Sequence, residues 1–109
     1  MEDFSLNISV ILPVHNEEEN LAQLIERIKK VGKNFEVIVV NDGSTDGSLE
    51  IAKNSGVKVV SHPYNRGNGA AVKTGVITAT RDIVLLMDAD GQHPPEEIPK
   101  LIEYIHGYD

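Results

Sequence analysis

The sequence predicts an α/β protein built on a Rossmann-like, doubly wound parallel sheet. Four short apolar, partly β-branched runs alternate with four stretches of helical periodicity, in the order β-α-β-α-β-α-β-α. In the second and fourth runs the apolar residues continue without polar alternation, which is typical of strands covered on both faces. Right-handed crossovers and the usual nucleotide-binding arrangement then predict the strand order 3-2-1-4.

The four predicted strands are short and are separated by polar turns. The first stops at Pro13. The strands are predicted over residues 8–12, 35–40, 57–60 and 83–87.

Each predicted helix carries an apolar stripe at three- and four-residue steps. Gly32 and Gly56 stand where helix C-terminal glycines belong. The third stripe has small side chains, so we expect that helix to lie close to the sheet. Pro99 would clash in a helix interior, so we expect the last helix to begin near Ile98, after a turn over residues 94–97. The stripes are Leu21, Leu24, Ile25, Ile28 and Val31; Leu49 and Ala52; Val72, Gly75, Val76 and Ala79; and Ile98, Leu101, Ile102 and Ile105.

Composition excludes several classes of protein. The 109 residues include ten basic and seventeen acidic side chains, a formal net charge of −7. This balance gives no basic footprint for nucleic acid and no polybasic patch for anionic lipid. The absence of cysteine excludes disulfides and thiol nucleophiles and suits a reducing compartment. No apolar run approaches the ~20 residues of a membrane span and no signal-like stretch begins the chain, so a cytoplasmic location is expected.

The predicted topology places a binding site at one edge of the sheet. In the order 3-2-1-4 the winding reverses between strands one and four, and ligands bind beyond the carboxyl ends of the strands at such a reversal. Three polar clusters leave that edge, over residues 13–17, 41–46 and 88–93.

Asp88 and Asp90 are candidates for a metal site. Residues i and i+2 of an extended segment point the same way, and two carboxylates facing one point repel unless a cation joins them. Carboxylate oxygens select Mg²⁺ or Mn²⁺, which usually complete their shell with water and substrate phosphates. Gln92 could add an amide oxygen, and His93 is a weaker candidate. The competing interpretation is a solvated acidic turn or a helix-capping aspartate.

The segment 41–47 has a capping and a binding interpretation. Thr45 or Asp46 fits the N-cap of the following helix. Asp42 comes first after the strand and better suits hydrogen bonds to a base or ribose. The segment imitates a calcium loop, but Lys53 stands in the twelfth place, where a bidentate glutamate is needed, and we reject that assignment.

A glycine-rich turn over residues 65–73 enters the third helix. It nearly matches the dinucleotide fingerprint, but the third small residue is missing and the turn follows the third strand, which argues against a Rossmann dehydrogenase. A helix N-terminus with Arg66 and Lys73 nearby favours anions, and the alternative is a capped helix with two surface cations.

The remaining polar residues have simpler interpretations. Asn16 could cap the first helix, with residues 17–19 favoured by the helix dipole. His62 and His106 are expected to be surface residues without a role.

Four motifs follow one another over nearly the whole chain. They are VILPVHNE at 10–17, VVNDGSTD at 39–46, NRGNG at 65–69 and MDADGQHP at 87–94. This combination resembles the family 2 glycosyltransferases with the GT-A fold. The last motif is especially similar to the dolichol-phosphate mannosyltransferase and polyprenyl-phosphate glycosyltransferase branch.

The resemblance implies a metal-dependent, inverting transfer of a sugar from a UDP- or GDP-sugar to an acceptor. It implies that Asp88 and Asp90 are catalytic and, with Gln92, hold Mg²⁺ or Mn²⁺ against the diphosphate. The nucleotide-sugar-binding residues that it implies are Pro13, His15, Glu17, Asp42, Ser44, Arg66, Gly69, Lys73, Asp88, Ala89 and Asp90.

Family members continue well past residue 109. We therefore expect residues 1–109 to be the nucleotide-sugar-binding part of a GT-A domain, truncated at its C-terminus, which does not turn over by itself. The missing half would bind the acceptor, a lipid phosphate such as a polyprenyl phosphate or a glycan, and would place the full-length protein at the cytoplasmic face of a membrane. No nucleic-acid partner is expected, and an exposed sheet edge favours homo-oligomers.

Two alternatives stay open. One is a non-catalytic nucleotide-binding or interaction module. The other is a sugar-nucleotide pyrophosphorylase, which would call for a glycine-rich loop bearing arginine and lysine after the first strand, where this chain has residues 13–17.

Overall fold

A computed structural model describes residues 3–90 and 92–106, with side chains through Glu103. The four parallel strands lie in the order β3-β2-β1-β4, which confirms the predicted α/β class and topology. The strands are β1 (Ile8–Val14), β2 (Glu36–Asp42), β3 (Lys58–His62) and β4 (Ile83–Leu86). The helices are α1 (Leu21–Val31), α2 (Ser48–Asn54), α3 (Asn68–Thr78) and α4 (Ile98–His106), with 3-10 turns at Phe4–Asn7 and Pro95–Glu97. The predictions for Gly91 and for the side chains of Ile105 and His106 lie outside the described residues.

Helices cover the sheet on both faces, because alternate side chains of a strand point to opposite faces. The larger core joins α1, α2 and α4 to one face, and the smaller core joins α3 to the other. The buried strand residues of the larger core are Ile8, Val10, Leu12, Val14, Val37 and Val39, and those of the smaller core are Ile11, Ile38 and Val40.

The close approach of α3 to the sheet is confirmed, and the predicted stripe is right at Gly75 and Ala79 but wrong at Val76. Ala71 and Gly75 are buried, whereas Val76 is 51% exposed. A Cβ on Gly75 would overlap Ile11, so the missing side chain allows α3 to pack directly on β1.

Pro13 does not end β1, contrary to the prediction. The strand continues to Val14, and Pro13 pairs in register with Val40 of β2. The carbonyl of Ile11 accepts from Met87 on the β4 side, and backbone groups two residues apart point to the same neighbour. The nitrogen of Pro13 therefore faces the β4 side beyond the end of β4, where no donor is required.

The prediction that both faces of β4 are covered is wrong. β2 is buried along its whole length, as expected, but Val84 and Leu86 of β4 are 39% and 53% exposed. These two side chains lie on the α3 face, opposite Ser9 and Ile11 of β1. α3 packs on β1 and β2, which leaves this part of the sheet open on one face.

The helix ends are largely as predicted. α4 begins at Ile98 after a short turn, with Pro99 in its first turn, where proline is tolerated. Gly32 follows α1, but its backbone is extended, and glycine is required there because a Cβ would lie 2.7 Å from both Phe35 and Ser5. Within the described ranges, no helix is long and apolar enough to cross a membrane.

Candidate functional site

The loops after β1, β2 and β3 meet at the carboxyl edge of the sheet. Pro13, His15 and Asp42 lie together there, as the topology predicts. With Val14, Asn65, Gly67, Asn68 and Ala71 they line an open cavity of about 270 Å³. The structure thus brings the end of β1, the end of β2 and the glycine-rich turn to one place.

Asp42 holds the glycine-rich turn in position through its carboxylate, which is 4% exposed. Its Oδ1 accepts from the backbone amide of Arg66 at 2.9 Å, and its Oδ2 accepts from that of Gly67 at 2.9 Å. Burial raises the pKa of Asp42, but hydrogen bonds from His62 and these two amides outweigh burial and lower the pKa below its ordinary value. Asp42 is therefore a buried carboxylate whose contacts are largely within the protein.

His62 is a functional candidate that the sequence interpretation missed. It is 6% exposed, so the expectation of a surface residue is wrong. Its Nδ1 lies 2.8 Å from Asp42 Oδ1, and its Nε2 lies 2.8 Å from Thr74 Oγ1 on α3. The predicted third strand ended at residue 60, whereas β3 extends to His62 and places it directly opposite Asp42 of β2.

His15 presents an imidazole edge to the cavity. Its Nδ1 lies 2.8 Å from the backbone carbonyl of Asp42. Because a carbonyl only accepts, Nδ1 carries the hydrogen, and Nε2 remains available for contacts at the cavity. Nε2 lies 3.4 Å from the amide nitrogens of both Asn16 and Asn65, at the mouth of the site.

The loops after β1 and β2 are joined by side-chain hydrogen bonds. Asn16 does not cap α1, which begins after Asn20. Its backbone is left-handed, with φ 55°, and its Oδ1 accepts from the amides of Thr45 and Asp46 at 2.8 and 3.3 Å. Asp46 Oδ1 in turn accepts from the Ser48 amide at 2.9 Å, but the N-cap of α2 is Gly47, so neither Thr45 nor Asp46 occupies the predicted capping position.

Ser44 and Glu17 take part in the same junction. Ser44 Oγ accepts from the Asn16 amide at 3.0 Å, and the Glu17 amide donates to Ser48 Oγ at 2.9 Å. The side chain of Glu17 lies in a separate small cavity of about 150 Å³, together with Asp46 and residues 16 and 18–20.

Three predicted site residues lie on the exposed side of the glycine-rich turn and α3. Arg66, Gly69 and Lys73 are exposed. Arg66 enters the site described above through its backbone, and a Cβ at Gly69 would meet open space.

The acidic turn after β4 is anchored by apolar residues. Met87 donates its amide to the Ile11 carbonyl at 3.0 Å, and Met87 and Ala89 are buried. Asp88 and Asp90, which alternate with them, are exposed. Asp90 Oδ1 accepts from the Gln92 amide at 3.0 Å.

These acids fit one kind of metal site. Among residues 3–90 and 92–103, no group of three or more His, Cys, Asp or Glu side chains is arranged to hold an ion. Mg²⁺ is usually held by one or two carboxylates together with water and substrate phosphates. Two exposed carboxylates leave coordination positions open to water and other oxygen ligands, so Asp88 and Asp90 could together hold an ion of this kind.

Comparison with known families decides the relationship that the motifs suggested. The sequence profile of the family described as "Glycosyl transferase family 2" matches residues 9–109. The chain belongs to glycosyltransferase family 2. The resemblance drawn from the four motifs is therefore confirmed.

Its relatives include transferases that act with polyprenyl phosphates. The chain is 43% identical over 120 residues to an undecaprenyl-phosphate 4-deoxy-4-formamido-L-arabinose transferase of Pectobacterium atrosepticum, covering all of this chain and 37% of that protein. It is 44% identical over 106 residues to a dolichol-phosphate mannosyltransferase of Pyrococcus furiosus, covering 92% of this chain and 30% of that protein. The chain thus spans about a third of the length of these relatives.

Solved structures of glycosyltransferases share the fold. A glucosyl-3-phosphoglycerate synthase from Mycobacterium tuberculosis, in complex with Mn²⁺, UDP and glucosyl-3-phosphoglycerate, matches with a TM-score of 0.78 and 33% identity over 90% of this chain and 39% of that one. The mannosyltransferase PcManGT from Pyrobaculum calidifontis, in complex with GDP-Man and Mn²⁺, matches with a TM-score of 0.75 and 27% identity over 84% of this chain and 29% of that one. The four-stranded sheet with flanking helices is thus that of the GT-A glycosyltransferases.

Proposed function

We propose that the protein transfers a sugar from a UDP- or GDP-sugar to a polyprenyl phosphate, and that residues 1–109 are the part that binds the donor. One observation carries the proposal: an open cavity is lined by three loops at the carboxyl edge of the sheet, and the exposed Asp88 and Asp90 follow β4, the strand beside β1. Such an arrangement suits a nucleotide in the cavity and its diphosphate over the acidic turn. The complexes of the two structural relatives with UDP or GDP-Man and Mn²⁺ support this assignment.

The cavity residues have distinct proposed roles. Pro13 and His15 line the nucleotide pocket, and Asp42 shapes it for the base and ribose. Glu17 and Ser44 act at the junction of the first two loops. Arg66 and Lys73 place positive charge near the donor phosphates, and Gly69 leaves room for them.

Asp88, Asp90 and Gln92 would hold Mg²⁺ or Mn²⁺, and Ala89 anchors the turn between the two acids. When bound, such an ion stabilises the negative charge that develops on the departing diphosphate. The chain contributes the orientation, because buried Met87 and Ala89 fix the backbone on which the two exposed carboxylates stand.

A polyprenyl phosphate acceptor simplifies the chemistry of the attack. A phosphate monoester has a second pKa of about 6 and is largely dianionic near neutral pH, so it needs little help from a general base. The names of the Pectobacterium and Pyrococcus relatives support this class of acceptor. We assign acceptor binding to a part of the protein outside residues 1–109.

Calorimetric titration of the intact protein with UDP and with GDP, each with and without Mn²⁺, tests the proposal. We expect one nucleotide to bind, and to bind more tightly when Mn²⁺ is present. Absence of binding by both nucleotides in the presence of Mn²⁺ would overturn the proposal and favour a non-catalytic interaction module.

A further inference from the structure

A chain of three polar side chains, two of them buried, connects β2, β3 and α3 next to the cavity. Asp42 on β2 contacts His62 on β3, and His62 contacts Thr74 on α3, each at 2.8 Å. Asp42 and His62 have side chains that are 5% exposed. Within the described residues, no buried side-chain polar atom is without a partner, so this chain is fully satisfied.

The direction of the hydrogen bonds follows from the donors and acceptors. The lowered pKa of Asp42 keeps its carboxylate ionised near neutral pH, and an ionised carboxylate only accepts. His62 Nδ1 therefore carries a hydrogen and donates to Asp42 Oδ1. With a neutral ring, Nε2 accepts from the Thr74 hydroxyl.

The carboxylate fixes the glycine-rich turn. Two of its three contacts are the backbone amides of Arg66 and Gly67, and Gly67 lines the cavity. Gly67 has φ +99°, a conformation that residues with a Cβ rarely adopt. Glycine reaches it without strain but also reaches many others, so contacts such as those from Asp42 are needed to select it. A carboxylate free to rotate would lose one or both amides and change the shape of the cavity wall.

We propose that His62 is a positioning residue for the donor site, which holds the Asp42 carboxylate in the rotamer that sets the wall of the nucleotide cavity. Thr74 completes the arrangement by holding the imidazole against α3. This role rests on the proposed function of the cavity. It assigns to Asp42 an indirect part as well, since its oxygens organise the turn whether or not a ligand touches them.

A matched pair of substitutions distinguishes the contact of Nδ1 with Asp42 from the contact of Nε2 with Thr74. In His62→Asn, the amide nitrogen lies at the same reach from Cα as Nδ1 and keeps the donor to Asp42. In His62→Gln, the amide reaches the position of Nε2 and keeps the contact with Thr74, but loses the donor to Asp42. Both variants are tested in the intact protein by nucleotide titration with Mn²⁺ and by backbone amide exchange at Arg66 and Gly67.

We expect His62→Asn, which loses only the contact with Thr74, to keep amide protection at Arg66 and Gly67 and to bind nucleotide about threefold more weakly. We expect His62→Gln to bind nucleotide about tenfold more weakly, with faster exchange at both amides, because one charge-assisted hydrogen bond is lost. In steady-state kinetics the loss should appear in the KM for the donor, with kcat unchanged.

The outcomes are separable. If the wild type binds nucleotide and His62→Gln binds it equally well, the positioning role is overturned while the proposed function stands. If the wild type binds neither UDP nor GDP, the proposed function fails and this role with it.

Should His62→Gln fail to fold, Thr74→Val takes its place, since it keeps the Asp42 contact and removes the hydroxyl that holds the imidazole. We expect Thr74→Val to weaken nucleotide binding about threefold, and an unchanged affinity would overturn the role.

Discussion

The side chain of Asn16 accepts a hydrogen bond from the backbone amide of Thr45, at 2.8 Å, across the gap between the first two loops of the site. Asn16 also accepts from Asp46 at 3.3 Å, so one amide oxygen satisfies two donors just before α2. Both donors precede Gly47, the N-cap of α2, so Asn16 stabilises the loop before the helix and does not cap the helix itself. It ties the position of His15, the next residue back along the chain, to that of the loop after β2.

We expect Asn16→Ala to lower the free energy of unfolding by about 1–2 kcal/mol. It removes the acceptor of the Thr45 and Asp46 amides and forces alanine into a left-handed backbone conformation. Urea unfolding of the variant measures the change. Asn16→Gly separates the two causes, because glycine tolerates the backbone and lacks only the oxygen. An Asn16→Ala variant as stable as the wild type would show that the junction contributes nothing.

Glu36 should control stability at acid pH. Burial raises the pKa of this carboxyl, but hydrogen bonds from Lys58, Ser9 and Thr80 outweigh it and lower the pKa from 4.5 to about 2. A carboxyl with a depressed folded-state pKa stabilises the protein fully above pH 4.5, and this contribution is lost as the pH falls towards 2. The shift corresponds to at most about 3 kcal/mol.

The contribution of Glu36 is measured by urea unfolding at a series of pH values from 6 down to 2, spaced by about one unit. We expect the difference in unfolding free energy between the wild type and Glu36→Gln to shrink as the pH falls. Glu26→Gln is the control, since Glu26 is exposed and pairs with Lys30 at 3.6 Å on the surface of α1. A constant difference across the range would contradict the assignment.

Gly75→Ala should destabilise the protein despite the higher helix propensity of alanine. The added methyl group overlaps Ile11 in the smaller core, and overpacking costs about 1–3 kcal/mol, against a propensity gain of about 1 kcal/mol. Gly69→Ala, in open space on the same helix, should instead be neutral or slightly stabilising. Thermal unfolding of the two variants compares them directly, and equal midpoints would contradict the close packing.

The double variant Asp88→Ala, Asp90→Ala should lose the Mn²⁺ dependence of nucleotide binding while keeping its fold. Both side chains are exposed, so the unfolding free energy should change by about 0.5 kcal/mol or less. Asp82→Ala removes an exposed acid at the other end of the same strand and should keep the metal dependence. Calorimetry gives the result, and an undiminished Mn²⁺ effect in the double variant would remove these acids from the metal site.

Sequence patterns predicted the sheet well. The strands follow from local apolar runs, and their order follows from the right-handed crossovers that parallel strands generally make. They placed Pro13, His15 and Asp42 at one edge, where the structure has them. The exposure of Val84 was missed because an apolar run does not reveal whether a helix covers it. The burial of Ala71 was missed because small residues are frequent on α3. Several faces of that helix therefore satisfy the same spacing.

The polar networks were the least predictable part. His62 and Glu36 are buried because their partners come from other strands and turns, and neither partner is adjacent in sequence. Asn16 resembled a cap for α1, and only the spatial contact with Thr45 shows that it binds the loop after β2 instead. Asp42 and His62 each lie two residues beyond the strands predicted at 35–40 and 57–60, so their pairing follows only from the longer strands that the structure shows.

Within the described residues, β4 is covered by fewer neighbouring elements than β1, the strand next to it. β1 lies between two strands and two helical layers, whereas β4 has β1 as its only strand neighbour within the described part of the chain and one open face. Local opening follows such differences in buried contact. In residues 1–109 studied alone, we expect the backbone amides of β4 to exchange with solvent faster than those of β1 and β2.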